Sequence, residues 1–120
     1  MSDSRLPRSV FGVGSDPDPR FTLANERTFL AWIRTSLALI AGGVALEAFD
    51  VSLPATLRTA VSAFMLVVAI ILPVVAWVQW KRAERALRQQ RSLPFSIAIP
   101  VLVGTIVVIA SELMRVELLA

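Results

Sequence analysis

Residues 59–80 read TAVSAFMLVVAIILPVVAWVQW, 22 consecutive positions without a formal charge. As a helix rising 1.5 Å per residue this run covers roughly 33 Å, enough to cross a hydrocarbon core of about 30 Å. Pro73 lies inside it, and a membrane helix tolerates such a proline as a kink. Trp77 and Trp80 fall where the helix leaves the hydrocarbon, the position of an interfacial aromatic belt.

On the C-terminal side of this run, KRAERALRQQR (81–91) carries five basic residues and one acid. Lys81, Arg85 and Arg88 recur at helical spacing and Glu84 stands four residues before Arg88, so the span extends as a polar helix with a Glu84–Arg88 pair. Ser92 and Pro94 punctuate it. Ser92 to Ser111 is then a further uncharged run of 20 residues, long enough to span again. Pro100 and Gly104 within it predict a bend or close packing, and Glu112, Arg115 and Glu117 end the chain outside the membrane.

On the N-terminal side, Pro54 sets the backbone for the second helix, and ANERTFLAWIRT (24–35) runs into SLALIAGGVAL (36–46). Thr22 is the expected N-cap of this first helix, and Asp50, Ser52 and Pro54 mark its end. Only 12 uncharged residues separate Arg34 from Glu47, too few to cross a bilayer, so the span includes Arg34 or places it at the interface. Residues 1–21 hold three of the seven prolines and two of the five glycines without apolar periodicity, which predicts a flexible tail. No apolar run there suits a cleavable signal peptide.

The expectation is an all-α integral membrane protein with three transmembrane helices: a flexible cytoplasmic tail over 1–21, then a three-helix membrane domain over 22–120 with spans at about 28–49, 57–80 and 93–114. A hydrophobic content of 56% and a mean hydropathy of +0.70 agree with this. The basic clusters at 5–34 and 81–91 lie on one side, which by the positive-inside rule puts the N-terminus in the cytoplasm and the C-terminus outside. The chain has no Cys, His or Tyr, so thiolate, imidazole-metal and imidazole acid–base chemistry are unavailable to it. No catalytic residue, metal or cofactor is expected, and nucleic acid is a poor partner for a basic patch beside a bilayer.

The NERTFL and WIRT blocks, followed by a second span ending WKRAERALR and a third hydrophobic helix, resemble the YidH-like proteins, a bacterial inner-membrane family (domain of unknown function 202). The same module is similar to the three-helix membrane domain of the eukaryotic vacuolar transporter chaperone complex, which makes polyphosphate and passes it across a membrane. The likeness covers about residues 20–120. It implies an inner-membrane location and, from the eukaryotic complex, a five-membered ring around a pore lined by basic side chains. The matching positions are Arg20, Arg27, and Lys81 or Arg82, where this sequence has one basic residue more. Arg34 follows the bacterial pattern and departs from the eukaryotic one. The complex's catalytic work belongs to a separate soluble domain for which this chain has no room.

The residues lead to a related question by another route. Arg27 and Arg34 are seven apart and so differ by only about 20° around a helix. Ala38, Ala41 or Gly42, and Ala45 continue that face as a stripe of small residues, which lets helices approach closely in lipid. In one reading the two arginines reach anionic lipid headgroups and pair with Glu26 or Glu84, with Glu26, Glu84 and Arg88 as structural ion-pair residues. In the other, Arg27 and Arg34 line a vestibule for a phosphate-type anion, with Arg20, Lys81 and Arg82 adding to it. Three helices cannot enclose a pore, so conduction requires a homo-oligomer. The functional expectation is an anion-handling pore or scaffold; the alternative is a non-conducting accessory or assembly protein for other membrane proteins.

Overall fold

The computed structural model describes residues 5–119. Its helices are α1 (Arg8–Phe11), α2 (Pro19–Ala48), α3 (Ala55–Arg88) and α4 (Ala98–Leu119), and the described chain contains no strand. The long helices give a rod of 65 × 24 × 20 Å. Each of α2, α3 and α4 is long and apolar enough to cross a membrane.

α2 begins earlier than the sequence predicts. Its N-cap is Asp18, whose Oδ1 accepts from the Arg20 amide at 2.9 Å, and Pro19 occupies the first turn, where a missing N–H costs nothing. Thr22 is therefore not the cap; it lies one turn inside and its hydroxyl is used elsewhere. At the far end the Phe49 amide bonds Ala45 O at 2.9 Å, the backbone turns extended, and Pro54 leads into α3.

α2 and α3 form an antiparallel hairpin whose register is fixed by polar bonds. Asn25 Nδ2 donates to Trp80 O at 3.1 Å, Ser36 Oγ to Ala69 O at 2.5 Å, and Ser62 Oγ to Gly43 O at 2.6 Å. In each pair the two residue numbers add to 105. Between lipid-embedded helices there is no hydrophobic drive to associate, so close packing and such bonds hold the pair together. Gly43 permits the approach: a Cβ there would stand 3.1 Å from Leu66 Cγ and 3.2 Å from Ser62 O. The core joins Val68, Leu72 and Ala98 to Trp32, Leu39, Val75 and Val101.

α3 runs through Pro73 without interruption and ends in a Schellman-type turn. The Arg91 amide reaches back to Ala86 O at 2.8 Å and the Gln90 amide to Leu87 O at 3.2 Å, with Gln90 at φ +54°. α4 starts at Ala98, five residues later than predicted, so Pro100 sits in its first turn. Gly104 faces open space in the single chain, so no close packing within it calls for a glycine there. α4 packs on α3, leaving Ile99, Val103, Ile106, Val107 and Val108 exposed on the isolated chain.

The expected flexible tail over 1–21 needs correction where it is described; residues 1–4 of it lie outside the described residues. Residues 19–21 belong to α2, and 5–18 dock on the C-terminal end of α3. Val10 is fully buried, the Ser15 amide donates to Arg88 O at 3.1 Å, and Gly14 adopts φ +57° against the Arg88 carbonyl, where any Cβ would collide. The proline and glycine content that suggested disorder instead shapes a tight turn around a buried arginine.

Candidate functional site

Arg27 and Arg34 are both exposed, on the face of α2 opposite the one that carries Asn25, Ser36 and Gly43 against α3. The hairpin register sets their depth. Arg27 lies level with Val78, near the Trp77–Trp80 pair that stacks at 5.4 Å. Arg34 lies level with Ile71, nine residues or about 13 Å inward from Trp80 along an uncharged run that begins at Thr59. Arg34 is therefore near the middle of the apolar length of α3. Among the described residues no ion pair involves Arg27, Arg34 or Glu26, so the expected pairing of the two arginines with Glu26 or Glu84 does not form. Of the predicted small-residue stripe, Ala38 and Ala41 are exposed beyond Arg34, while Gly42 and Ala45 are half-buried, with Gly42 against the Met65 methyl.

The predicted structural ion pairs are rearranged. Glu84 is buried, and its carboxylate accepts from Thr22 Oγ1 at 2.7 Å and from Asn25 Nδ2 at 3.1 Å. Two neutral donors from α2 thus hold it, and the expected Glu84–Arg88 pair is absent. Arg88 points to the docked N-terminal segment: its Nε donates to Val13 O at 2.8 Å, its Nη2 to Phe11 O at 3.2 Å, and its Nη1 pairs with Asp16 Oδ1. The Phe11 ring lies 5.4 Å from the same guanidinium, and Arg5 stacks on that ring at 4.5 Å while also bonding Asp16. Hydrogen bonds from Arg5 and then Arg88 hold the Asp16 carboxyl below its ordinary pKa. The four-residue spacing that suggested a local pair loses to tertiary partners, because a buried guanidinium needs several acceptors at once.

Among the anion-site candidates, Arg20 is engaged by Asp18, which it bonds through Nη2 at 2.8 Å and whose pKa it lowers. Lys81 is half-buried and Arg82 exposed; Arg82 shares a cleft of about 430 Å³ with Arg85 and Arg91, and neither Arg27 nor Arg34 lines it. The predicted cationic set is thus divided between the outer face of α2 and the end of α3. Thr22 and Asn25 were missed as Glu84 partners. Their signal was present in the sequence: Thr22, Asn25 and Ser36 repeat on one helical face, a polar seam facing α3. Among the described residues no cluster of three metal-ligating side chains occurs.

A tight hairpin of two long apolar helices, a third apolar helix beside it and a heavily basic end define an integral membrane protein of three spanning helices. Residues 20–86 match the family model described as Domain of unknown function (DUF202), and the chain belongs to this family. It is 36% identical over 110 residues to the inner membrane protein YidH of Escherichia coli K12, a match covering 90% of this chain and 95% of that protein. The YidH of Shigella flexneri matches to the same extent. An uncharacterized protein of Mycobacterium tuberculosis is 42% identical over 81 residues, 66% of each chain. No solved structure matches. The family and the three apolar helices make this a multi-pass inner-membrane protein.

Proposed function

We propose that copies of this chain assemble with the Arg27–Arg34 face of α2 turned toward a shared aqueous path that handles small anions of the phosphate type. One observation carries the reading: Arg34 lies near mid-depth on the face turned away from its own α3, with no carboxylate partner among the described residues. An arginine at the centre of a spanning helix costs from about 3 to above 10 kcal/mol if left to lipid, so such residues face protein or a water-filled cavity. The single chain offers neither on that face. A second copy supplies both, and the exposed Ala38 and Ala41 let helices come close beside it. Arg27 stands at the mouth of the path, the N-terminus lies in the cytoplasm and the C-terminus outside, following the basic bias of 5–34 and 81–91. The chain carries out no reaction of its own in this reading.

The test is anion flux from vesicles reconstituted with the purified chain. Wild type is expected to release chloride or phosphate, and Arg34→Gln to reduce that release at least tenfold, with Arg27→Gln intermediate. Vesicles that stay tight, or variants that conduct as wild type does, refute it. A second reading, an accessory protein that packs on other membrane proteins, draws on the largely uncovered α4. It requires a stoichiometric foreign partner in mild detergent and no closed ring of identical copies.

A further inference from the structure

The cleft at the end of α3 is built apart from the α2 face. Arg82 and Arg85 rise from the last two turns of α3, and the chain then reverses so that Arg91 folds back beside them. The reversal depends on the Arg91 amide bonding Ala86 O and on Gln90 adopting a left-handed backbone that residues with a side chain seldom take. Ser92 adds a hydroxyl, and Ala86 and Pro94 wall the cleft. No carboxylate lines it, and among the described residues neither Arg82 nor Arg91 has an ion-pair partner. Arg85 is already oriented, its Nη1 donating to Ser9 O at 2.8 Å.

We propose that Arg82, Arg85, Arg91 and Ser92 form a binding site for a phosphate group. Three guanidinium forks gathered without a counter-charge repel one another, and a tetrahedral oxyanion with several acceptor oxygens relieves this while matching fork geometry. Position adds to the argument. The cleft begins two residues past Trp80, where the uncharged run of α3 ends and lipid phosphates lie. At about 430 Å³ it exceeds a bare phosphate and admits a headgroup carrying one. The phosphate therefore comes from an anionic phospholipid or from free phosphate in the adjoining aqueous phase, and the chemistry of recognition is the same.

The experiment uses the full chain, stripped of lipid in maltoside detergent, and two probes. Native mass spectrometry with short-chain phosphatidic acid against phosphatidylcholine reads the lipid source, and calorimetric titration with inorganic phosphate reads the free one. Wild type is expected to bind phosphatidic acid at least tenfold better than phosphatidylcholine. Arg85→Gln and Arg91→Gln should each weaken phosphate-group binding about tenfold, the loss for one charge-assisted hydrogen bond. Arg91→Lys should fall between, and Arg115→Gln at the other end of the molecule should bind as wild type. Arg91 lies in an exposed loop, so its variants remain informative if Arg85→Gln disturbs folding. Inorganic phosphate that displaces the lipid identifies both sources as competent, whereas lipid binding without phosphate binding identifies the headgroup. Equal binding of both lipids with no phosphate binding, or Arg91→Gln indistinguishable from wild type, overturns the proposal. Arg85 and Arg91 take no part in the α2 face, so lost anion flux with intact phosphate binding, or the reverse, separates the two readings.

Discussion

Thr22→Ala and Glu84→Ala, made singly and together, test whether the buried carboxylate clamps the hairpin. Glu84 is 1% exposed, so water cannot replace a lost donor. Removing the Thr22 hydroxyl leaves Oε1 without its 2.7 Å bond and costs about 1–3 kcal/mol, the desolvation penalty of a buried acceptor. Glu84→Ala removes both bonds and leaves a cavity, but Asn25 Nδ2 keeps its 3.1 Å bond to Trp80 O, so the cost is about 2–4 kcal/mol. With the carboxylate gone, Thr22→Ala should cost little more, giving a coupling of roughly 1–3 kcal/mol. The assay is reversible unfolding in mixed micelles, read by tryptophan fluorescence. Thr22→Ala combined with Ser36→Ala is the control, because 14 residues, about 21 Å of helix, separate them and their effects should add. A Thr22–Glu84 coupling below about 0.5 kcal/mol refutes the clamp.

Two further outcomes follow from the docked segment and the hairpin. Arg88→Leu or Gly14→Ala should release residues 5–18, read as a rise of tenfold or more in hydrogen exchange at the Ser15 amide, with the α2–α3 hairpin intact. Asp16 has a lowered pKa in the fold, so its contribution to docking is complete above the ordinary carboxylate value of 3.8 and is lost as pH falls through the lowered one; Asp16→Asn should reproduce that release at neutral pH. Gly43→Val should destabilise the hairpin by about 1–3 kcal/mol through overlap with Leu66 and Ser62, measured in the same unfolding assay, whereas Gly104→Ala, inside α4 and facing open space, should not destabilise and should gain up to about 1 kcal/mol from helix propensity.

The three spans were legible because uncharged runs of bilayer length leave few alternatives, as residues 59–80 illustrate. The shared face of Arg27 and Arg34 was legible from helical period alone. Helix ends were less so: Asp18 and Thr22 are both good cap types, and Pro19, which suits the first helical position, goes with Asp18 while the Thr22 hydroxyl bonds Glu84. The Glu84–Arg88 spacing suggested a local pair, but burial made each seek partners across the fold. The N-terminal segment misled because glycine and proline mark a tight turn as readily as a loose tail. Depth was hidden for a different reason. It follows from pairing Asn25 with Trp80 and Ser36 with Ala69, contacts between residues far apart in the chain.

The central claim is that the Arg27–Arg34 face meets water and another copy of the chain. The protein has no cysteine, so one introduced at Ala38, one turn beyond Arg34 on the exposed side of α2, is a unique probe. In reconstituted vesicles the account predicts that Ala38→Cys reacts with a charged, water-soluble thiosulfonate and cross-links to a second copy, while Ile70→Cys, 70% exposed on α3, stays unmodified in lipid. An Ala38→Cys that neither reacts nor cross-links would contradict it.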